Sequence, residues 1–338
     1  MFDKINPTTV TTVTKVLCID SLFRQNLYTT EPSNFIYKLS EPINNVVSIR
    51  LSSIELPNNW YLFAKYDHSN IFTITCYNVP DLIDSSNVLL FKDKVVHVIE
   101  LPEGNYLADK FELALKNYFA NTGGGLQYIG VSVNEFSSKT EFYSGVDTLT
   151  TTGILTYPYN PYTVEIPEGK GDFYFKIDFT IPDLPLYPLY KTIGWTLGFR
   201  KYEYIVKYGD NATTRIIESQ NQTYFAYLES ESSYGSSFFQ YLFLELDDYQ
   251  KNVASNAIVS YNGDYNLSNN IFAKIVITSG QYTSITDNGS DLMFKKRNYF
   301  GPVRLEKLHF RILTRFGDVI DLNGNNFSLT LEIDTLYS

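Results

Sequence analysis

Residues 303–313, VRLEKLHFRIL, and residues 327–334, FSLTLEID, decide the fold class of this chain. From Leu308 and from Phe327 onward, apolar side chains stand at every second position, with charged or hydroxyl side chains between them. Successive residues of a β-strand point to opposite faces of the sheet, so each stretch has one core face and one solvent face. RFGDVIDLNGNN (315–326) supplies the Gly and Asn residues that turns require. The end of the chain therefore predicts two antiparallel strands of a sandwich.

The opening part of the chain carries the same pattern. Residues 15–20 (KVLCID), 34–39 (NFIYKL) and 45–56 (NVVSIRLSSIEL) each predict a strand. In the last of these the apolar phase shifts by one residue between Leu51 and Ile54. A one-residue phase shift inside a strand predicts a β-bulge. These stretches and the final pair predict an all-β fold, an antiparallel β-sandwich.

One amphipathic helix is expected after LPEGNY, running to about Phe119, with Asn105 as its N-cap. Its apolar face is formed by Leu107, Phe111, Leu115 and Tyr118. Glycines 123–125 end it. We expect this helix to cover one end of the sandwich.

The chain of 338 residues is too long for one small sandwich. Residues 1–14 are rich in Thr and lack a buried pattern, which predicts a mobile N-terminal arm. Residues 15–121 together with 238–338 are expected to form the sandwich, and 122–237 a β-rich insertion or second β-subdomain. A proline cluster at 181–190 is incompatible with a central strand and predicts an extended surface crossing.

Composition excludes some classes of function. A net charge of −10 disfavours direct nucleic-acid binding by the whole surface, and Lys295, Lys296 and Arg297 are expected to be a solvated loop. Cys18 and Cys76 lie in apolar contexts and are expected to be two buried free thiols. The sequence contains no stretch long enough to span a bilayer.

The sequence offers little catalytic chemistry. A P-loop, a Gly-x-Ser-x-Gly elbow and a His-Glu-x-x-His motif are all missing, and no metal or cofactor is expected. Glu245, Asp247 and Asp248 are the best local cluster, either a calcium or catalytic carboxylate site or a polar strand end leading into a turn. Asp318 and Asp321 are expected to be turn residues. The sequence therefore favours a protein that is not an enzyme.

Aromatic residues are the best interaction candidates. Trp60 and Trp195 could stack on sugars, although packing in the core or between subunits is the favoured role. The YPYNPY run places Tyr157, Tyr159 and Tyr162 in a loop, where Tyr gives large contact area at small entropic cost. With 28 Tyr in the chain, compositional bias is an alternative explanation.

Three blocks together resemble the minor capsid and penton-like jelly-roll proteins of nucleocytoplasmic large DNA viruses. They are residues 19–61, residues 99–119, and TIGWTLGF (192–199) with 299–334. The resemblance implies a single jelly roll built from the terminal blocks, with the middle inserted, and leaves a double jelly roll open. It also implies a virion component, assembled in the host cytoplasm, that contacts the major capsid protein and other capsid proteins and forms a homo-oligomer, with a pentamer as one candidate.

Two other functions are compatible with a jelly roll. One is a carbohydrate- or receptor-binding module on the virion surface, which requires exposed Trp or Tyr. The other is a glycoside hydrolase, which requires two carboxylates facing each other across a cleft.

Overall fold

The computed structural model describes residues 12–83, 89–148, 173–207, 213–217, 220–235, 240–253, 270–287 and 295–337. The described strands are β1 (Thr12–Asp20), β2 (Asn34–Pro57), β3 (Ile71–Ile83), β4 (Leu89–Glu100), β5 (Ile129–Val133), β6 (Lys139–Thr148), β7 (Tyr174–Asp178), β8 (Glu203–Val206), β9 (Thr213–Ile217), β10 (Gln220–Ser233), β11 (Tyr241–Asp247), β12 (Ile271–Val276), β13 (Ser284–Asp287), β14 (Lys296–Leu313) and β15 (Ser328–Leu336). The α-helices in the described residues are α1 (Ala108–Thr122) and the single turn α2 (Ile193–Thr196). Among these residues no helix is long and apolar enough to cross a membrane.

The chain forms two compact units. The first consists of Met1–Trp60 and Phe239–Ser338, and the second is Tyr61–Phe238. The boundary therefore falls at residue 60, whereas the sequence pattern placed it at 121. Residues 61–121 belong with the middle of the chain because the strands and the helix that they form share the core of the second unit.

The first unit is a two-layered antiparallel sandwich. One layer contains, in order, β1, β15, the second part of β2 and the first part of β14. The other layer contains, in order, the first part of β2, the second part of β14, β11 and β12. β13 pairs with the end of β2, in the same layer as the first part of β14. Apart from β11 and β12 in one layer, and β13 and the start of β14 in the other, successive segments along the chain cross between the layers, which is the strand order of a jelly roll. The predicted all-β jelly-roll sandwich is confirmed.

β2 and β14 reach both layers because they are long and bent. Residues 296–298 pair with 48–50, residues 307–311 pair with 34–38, and the register shifts in between. Such shifts let a strand turn from one layer into the next. A second shift, where β2 pairs with β15, leaves Ser52 as an extra residue between Leu51 and Ser53. This is the bulge that the phase of the apolar residues predicts.

The jelly roll has a main core and a smaller apolar cluster of Phe243, Ile271 and Leu313. Phe35, near the start of β2, lies 5.6 Å from Phe310 of β14 and 6.0 Å from Phe327, between ring centroids. The alternating residues of β15 contribute Leu329, Leu331 and Ile333 to the same core. The sandwich is therefore closed by side chains from the two ends of the chain.

The second unit contains two four-stranded sheets, in the orders β4-β3-β7-β8 and β5-β6-β10-β9. Phe72 and Ile74 from the first sheet share a core with Val131 and Phe142 from the second. Neighbouring strands such as β3–β4 and β5–β6 are consecutive in the chain and form antiparallel pairs. The described strands of this unit are therefore not in jelly-roll order.

Helix α1 confirms the predicted helix and packs in the second unit. Its buried residues are Phe111, Leu115 and Phe119. Its N-cap is Leu107, without a side-chain cap, and the Asn105 carboxamide oxygen accepts from the Leu62 N–H at 2.8 Å. The prediction that Asn105 caps the helix was wrong, because this side chain holds the preceding loop instead.

The two cysteines differ in their surroundings. Cys76 is buried on β3, and burial raises the pKa of its thiol to about 12. Cys18 is exposed, contrary to the expectation of two buried thiols. On β1 the apolar neighbours Leu17 and Ile19 point into the core, so strand alternation places Cys18 on the outer face.

Candidate docking surfaces

The acidic residues that the sequence analysis selected as candidates form ion pairs and turn hydrogen bonds. Arg311 approaches both oxygens of Glu245, with Nε 2.6 Å from Oε2 and Nη2 2.7 Å from Oε1. The guanidinium charge neutralises a buried carboxylate. Asp247 accepts from the Tyr249 N–H at 2.8 Å, the turn role that the alternative predicted. Asp321 likewise accepts from the Asn323 N–H at 2.7 Å.

Asp248 belongs to a buried network in the jelly roll. Arg297 donates to its Oδ2 at 2.8 Å and to the Asn270 carbonyl at 3.2 Å. The Tyr299 hydroxyl donates to the same carboxylate oxygen. Burial, and then the Asp248 charge, raise the pKa of Tyr299. Among the residues that the structure describes, no group of three or more His, Cys, Asp or Glu could hold a metal ion.

The basic run at 295–297 is not a solvated loop. Lys295 and Arg297 are buried, and Lys296 begins β14. The expectation was wrong because the partner of Arg297, Asp248, lies 49 positions away in the sequence. No local pattern reveals such a pairing.

Trp60 and Trp195 offer little free aromatic surface. Trp60 is 4% exposed and belongs to the core of the jelly roll. The Arg200 guanidinium lies 3.9 Å from the centre of the Trp195 ring, and Tyr190 meets that ring edge-on. Packing, the favoured role, fits both residues better than sugar stacking. Tyr157, Tyr159 and Tyr162 lie outside the described residues, so their interface role stays a prediction.

A turn at residues 20–30, which was not predicted from the sequence, presents aromatic side chains on a backbone ordered by hydrogen bonds. Arg24 donates through Nη1 to the Ser21 carbonyl at 2.8 Å and to Asn326 Oδ1 at 2.9 Å, and through Nη2 to the Leu27 carbonyl at 3.1 Å and the Thr30 carbonyl at 3.0 Å. Phe23 and Tyr28 project from this Arg24 turn with 75% and 98% of their surface exposed. A planar guanidinium that bonds several carbonyls fixes the loop around it.

A second such turn joins β5 and β6. Asn134 Oδ1 accepts from the N–H groups of Phe136 at 2.9 Å and Ser137 at 3.0 Å. Its Nδ2 donates to Glu141 at 2.9 Å. Phe136, at the tip of this Asn134 turn (134–139), is 98% exposed.

The third turn is the proline cluster. Backbone bonds from Leu184 N–H to the Ile181 carbonyl, 3.1 Å, and from Tyr187 N–H to the Leu184 carbonyl, 2.9 Å, fold it. The Tyr187 hydroxyl donates to the Asp67 carbonyl. Leu186 stands between two prolines and is 94% exposed, so this proline turn (181–188) lies at the surface, as the cluster predicts, but it is folded into turns and is not extended.

These three braced turns share one physical property. Each holds a large apolar side chain in water on a backbone that its own hydrogen bonds or prolines have ordered. Ordering the backbone beforehand lowers the entropic cost of binding, and aromatic anchors contribute most of the energy of protein interfaces. The turns are therefore the best candidates for docking surfaces. Only the proline turn was predicted from the sequence, through the local restriction that prolines place on the backbone.

Comparison with known proteins gives matches only among solved structures. No family model matches the chain, and no curated protein matches it. The chain is similar to the mavirus penton protein, in a crystal structure of its selenomethionine-labelled form, at 10% identity and a TM-score of 0.43, over 96% of this chain and 100% of that chain. It is also similar to a chain of the Sputnik virophage structure determined by cryo-electron microscopy, at 13% identity and a TM-score of 0.42, over 96% of this chain and 98% of that chain.

Proposed function

We propose that this chain is a structural component of the capsid of a large icosahedral DNA virus, a minor capsid or penton protein that acts by protein–protein assembly. The observation that carries the proposal is the jelly roll formed by the two ends of the chain. This is the fold implied by the capsid-protein resemblance of residues 19–61 and 299–334, and the two stretches lie together in it.

The braced turns supply a mechanism of assembly. A protein that presents preorganised apolar side chains on ordered turns docks with little loss of entropy, and many weak contacts in a closed shell are collectively strong. The partners that we propose are the major capsid protein and further copies of this chain. The site of action is the virion, with assembly in the host cytoplasm.

The alternatives have weaker support. A carbohydrate-binding face built on Trp60 requires an exposed ring, and this ring is in the core. A glycoside hydrolase built on the acidic cluster requires free carboxylates, and Glu245 and Asp248 are held by Arg311 and Arg297.

Cross-linking mass spectrometry of intact virions tests the proposal. We expect cross-links between this chain and the major capsid protein. Intact particles that contain the major capsid protein without this chain would overturn the capsid function.

A further inference from the structure

β1 is an edge strand with a long, regular hydrogen-bonding edge. It pairs with β15 at nine successive positions, from Thr12 opposite Leu336 to Asp20 opposite Ser328, without a register shift. Within the part of the chain that the structure describes, β15 is its only strand partner. Edge strands are commonly blunted by bulges, prolines or several charges. β1 has neither bulge nor proline, and Lys15 is the only charge between its ends.

The backbone groups that face away from β15 can be identified. The Ser21 N–H donates to the Phe327 carbonyl at 2.9 Å, and the Val13 carbonyl accepts from the Thr335 hydroxyl at 3.1 Å. Odd-numbered residues of β1 therefore direct their backbone toward β15. Backbone groups alternate along a strand, so the even-numbered residues direct theirs to the open edge. These residues are Thr12, Thr14, Val16, Cys18 and Asp20.

We propose that β1 pairs antiparallel with β1 of a second copy of this chain, about a two-fold axis at Val16. This register places Thr14 opposite Cys18 of the second copy, so every directly opposed even-numbered pair has its N–H and C=O groups aimed at each other. It also keeps the core face and the outer face of the two sheets continuous, because residues of equal parity share a face. The inference deepens the proposed assembly function, on which it rests, by naming one partner.

Charge and surface favour a second copy as the occupant. In this register Lys15 faces Leu17, and Asp20 faces Thr12, so no like charges are directly opposed. Val16 is 65% exposed, and the pairing places it against Val16 of the second copy. A β-branched pair across strands is favourable, and two strands that exchange backbone hydrogen bonds follow a common mode of recognition.

A single cysteine on the proposed axis tests the pairing. Directly opposed residues of a hydrogen-bonded pair lie about 5.5 Å apart between Cα atoms. A disulfide bridges Cα atoms about 4.4–6.8 Å apart. We therefore expect Val16→Cys, in a Cys18→Ser background, to form a disulfide-linked dimer when the purified full chain is oxidised. Peptide mass spectrometry identifies the bridge.

The matched control lies on the same strand and face. Thr12→Cys in the same background places its two thiols eight positions apart, about 27 Å at the rise of a β-strand. We expect little dimer from this variant. Equal cross-linking of both variants would indicate random collision, and no cross-linking of Val16→Cys would mean that the edges do not meet. Either result overturns the pairing.

Hydrogen exchange distinguishes the other occupants of this edge without a substitution. In the unmodified chain the Val16 amide is expected to exchange more slowly as protein concentration rises, while the Leu17 amide, bonded to β15, stays protected throughout. A Val16 amide that is slow at every concentration would mean that another part of the chain covers the edge. One that is fast at every concentration would mean an open edge, and both results contradict the proposal. If Val16→Cys forms the disulfide-linked dimer but the chain is missing from virions, the capsid function is overturned and the pairing still holds.

Discussion

Arg297 and Asp248 carry opposite charges in the interior of the jelly roll, with Nη1 and Oδ2 2.8 Å apart. Removing one member of a buried ion pair leaves the other charge unpaired, which commonly costs about 3–5 kcal/mol. We therefore expect Asp248→Ala to lower the free energy of unfolding of the jelly-roll unit by that amount, as measured by chemical denaturation.

The exposed pair of Arg304 and Glu306, on the same strand and 3.1 Å apart, is the control for Asp248→Ala. Surface pairs contribute about 0–1 kcal/mol, so Glu306→Ala is expected to change stability little. If Asp248→Ala lowered the free energy of unfolding as little as Glu306→Ala does, the buried network would not be a source of stability.

Gly198 occupies a position that a side chain does not fit. Its φ is +95°, and a Cβ there would lie 2.0 Å from the Ser232 carbonyl oxygen, a backbone atom that cannot rotate away. We expect Gly198→Ala to destabilise the second unit by about 1–3 kcal/mol. Gly104→Ala is the control, since a Cβ there meets only Tyr106 at 3.7 Å. A thermal melt that gives equal midpoints for both variants would contradict the expected strain.

Asp334 is expected to titrate at low pH. Burial works to raise its pKa, but hydrogen bonds from Ser48 and Thr14 and the charge of Lys296 outweigh burial and lower the pKa below the ordinary 3.8. A lowered pKa in the folded state contributes stability that is present above pH 3.8 and lost as pH falls through the folded value.

We expect Ser48→Ala to raise the pKa of Asp334 toward 3.8, as read from NMR titration of the carboxyl carbon. Ser328→Ala, which removes a hydroxyl bonded to Glu55, is the control and should leave the Asp334 titration unchanged. An unshifted Asp334 in Ser48→Ala would show that this hydrogen bond does not lower its pKa.

At the scale of elements, α1 gives a matched comparison. Leu115 is buried and Leu113, two residues earlier, is exposed. Truncating a buried leucine removes apolar contacts and leaves a cavity, at a cost of about 2–5 kcal/mol. We expect Leu115→Ala to lower the free energy of unfolding of the second unit by this amount and Leu113→Ala to change it little. Equal losses, measured by chemical denaturation, would place the wrong face of the helix in the core.

Elements were predictable where a short stretch determines its own structure. The alternation of Leu329, Leu331 and Ile333 and the bulge at Ser52 need only the neighbouring residues. The partner of α1 was not predictable in this way, because an apolar helix face does not specify which sheet it covers. For the same reason the boundary between units was placed at 121, although the structure places it at 60.

The docking surfaces were largely hidden from the sequence for a different reason. Phe23, Tyr28 and Phe136 look like ordinary apolar residues until the structure shows them in water. Their exposure depends on Arg24 and Asn134, and Arg24 bonds Asn326, 302 positions away. The prolines around Leu186 act locally, and so do the bonds of Asn134 to Phe136 and Ser137.

At the scale of the whole molecule, the two kinds of docking surface have different consequences for assembly. A two-fold contact such as the proposed β1 pairing closes after two copies. It cannot extend a shell by itself. Growth of a shell therefore requires other contacts, and we assign these to the braced turns.

Separate variants should dissociate the two contacts. Loss of an aromatic anchor at an interface costs about 2 kcal/mol, which corresponds to about thirtyfold in affinity. We expect Phe136→Ser and Tyr28→Ser to lower the amount of this chain in purified virions, while the isolated chain still forms the β1 dimer. Val16→Asp opposes two like charges on the axis, and is expected to abolish the dimer in analytical ultracentrifugation. Val98→Asp, at a half-exposed valine of β4, is the control for the added charge. If Phe136→Ser and Tyr28→Ser enter virions like the unmodified chain, the braced turns are not docking surfaces, because anchors that contribute binding energy cannot be removed without loss of affinity.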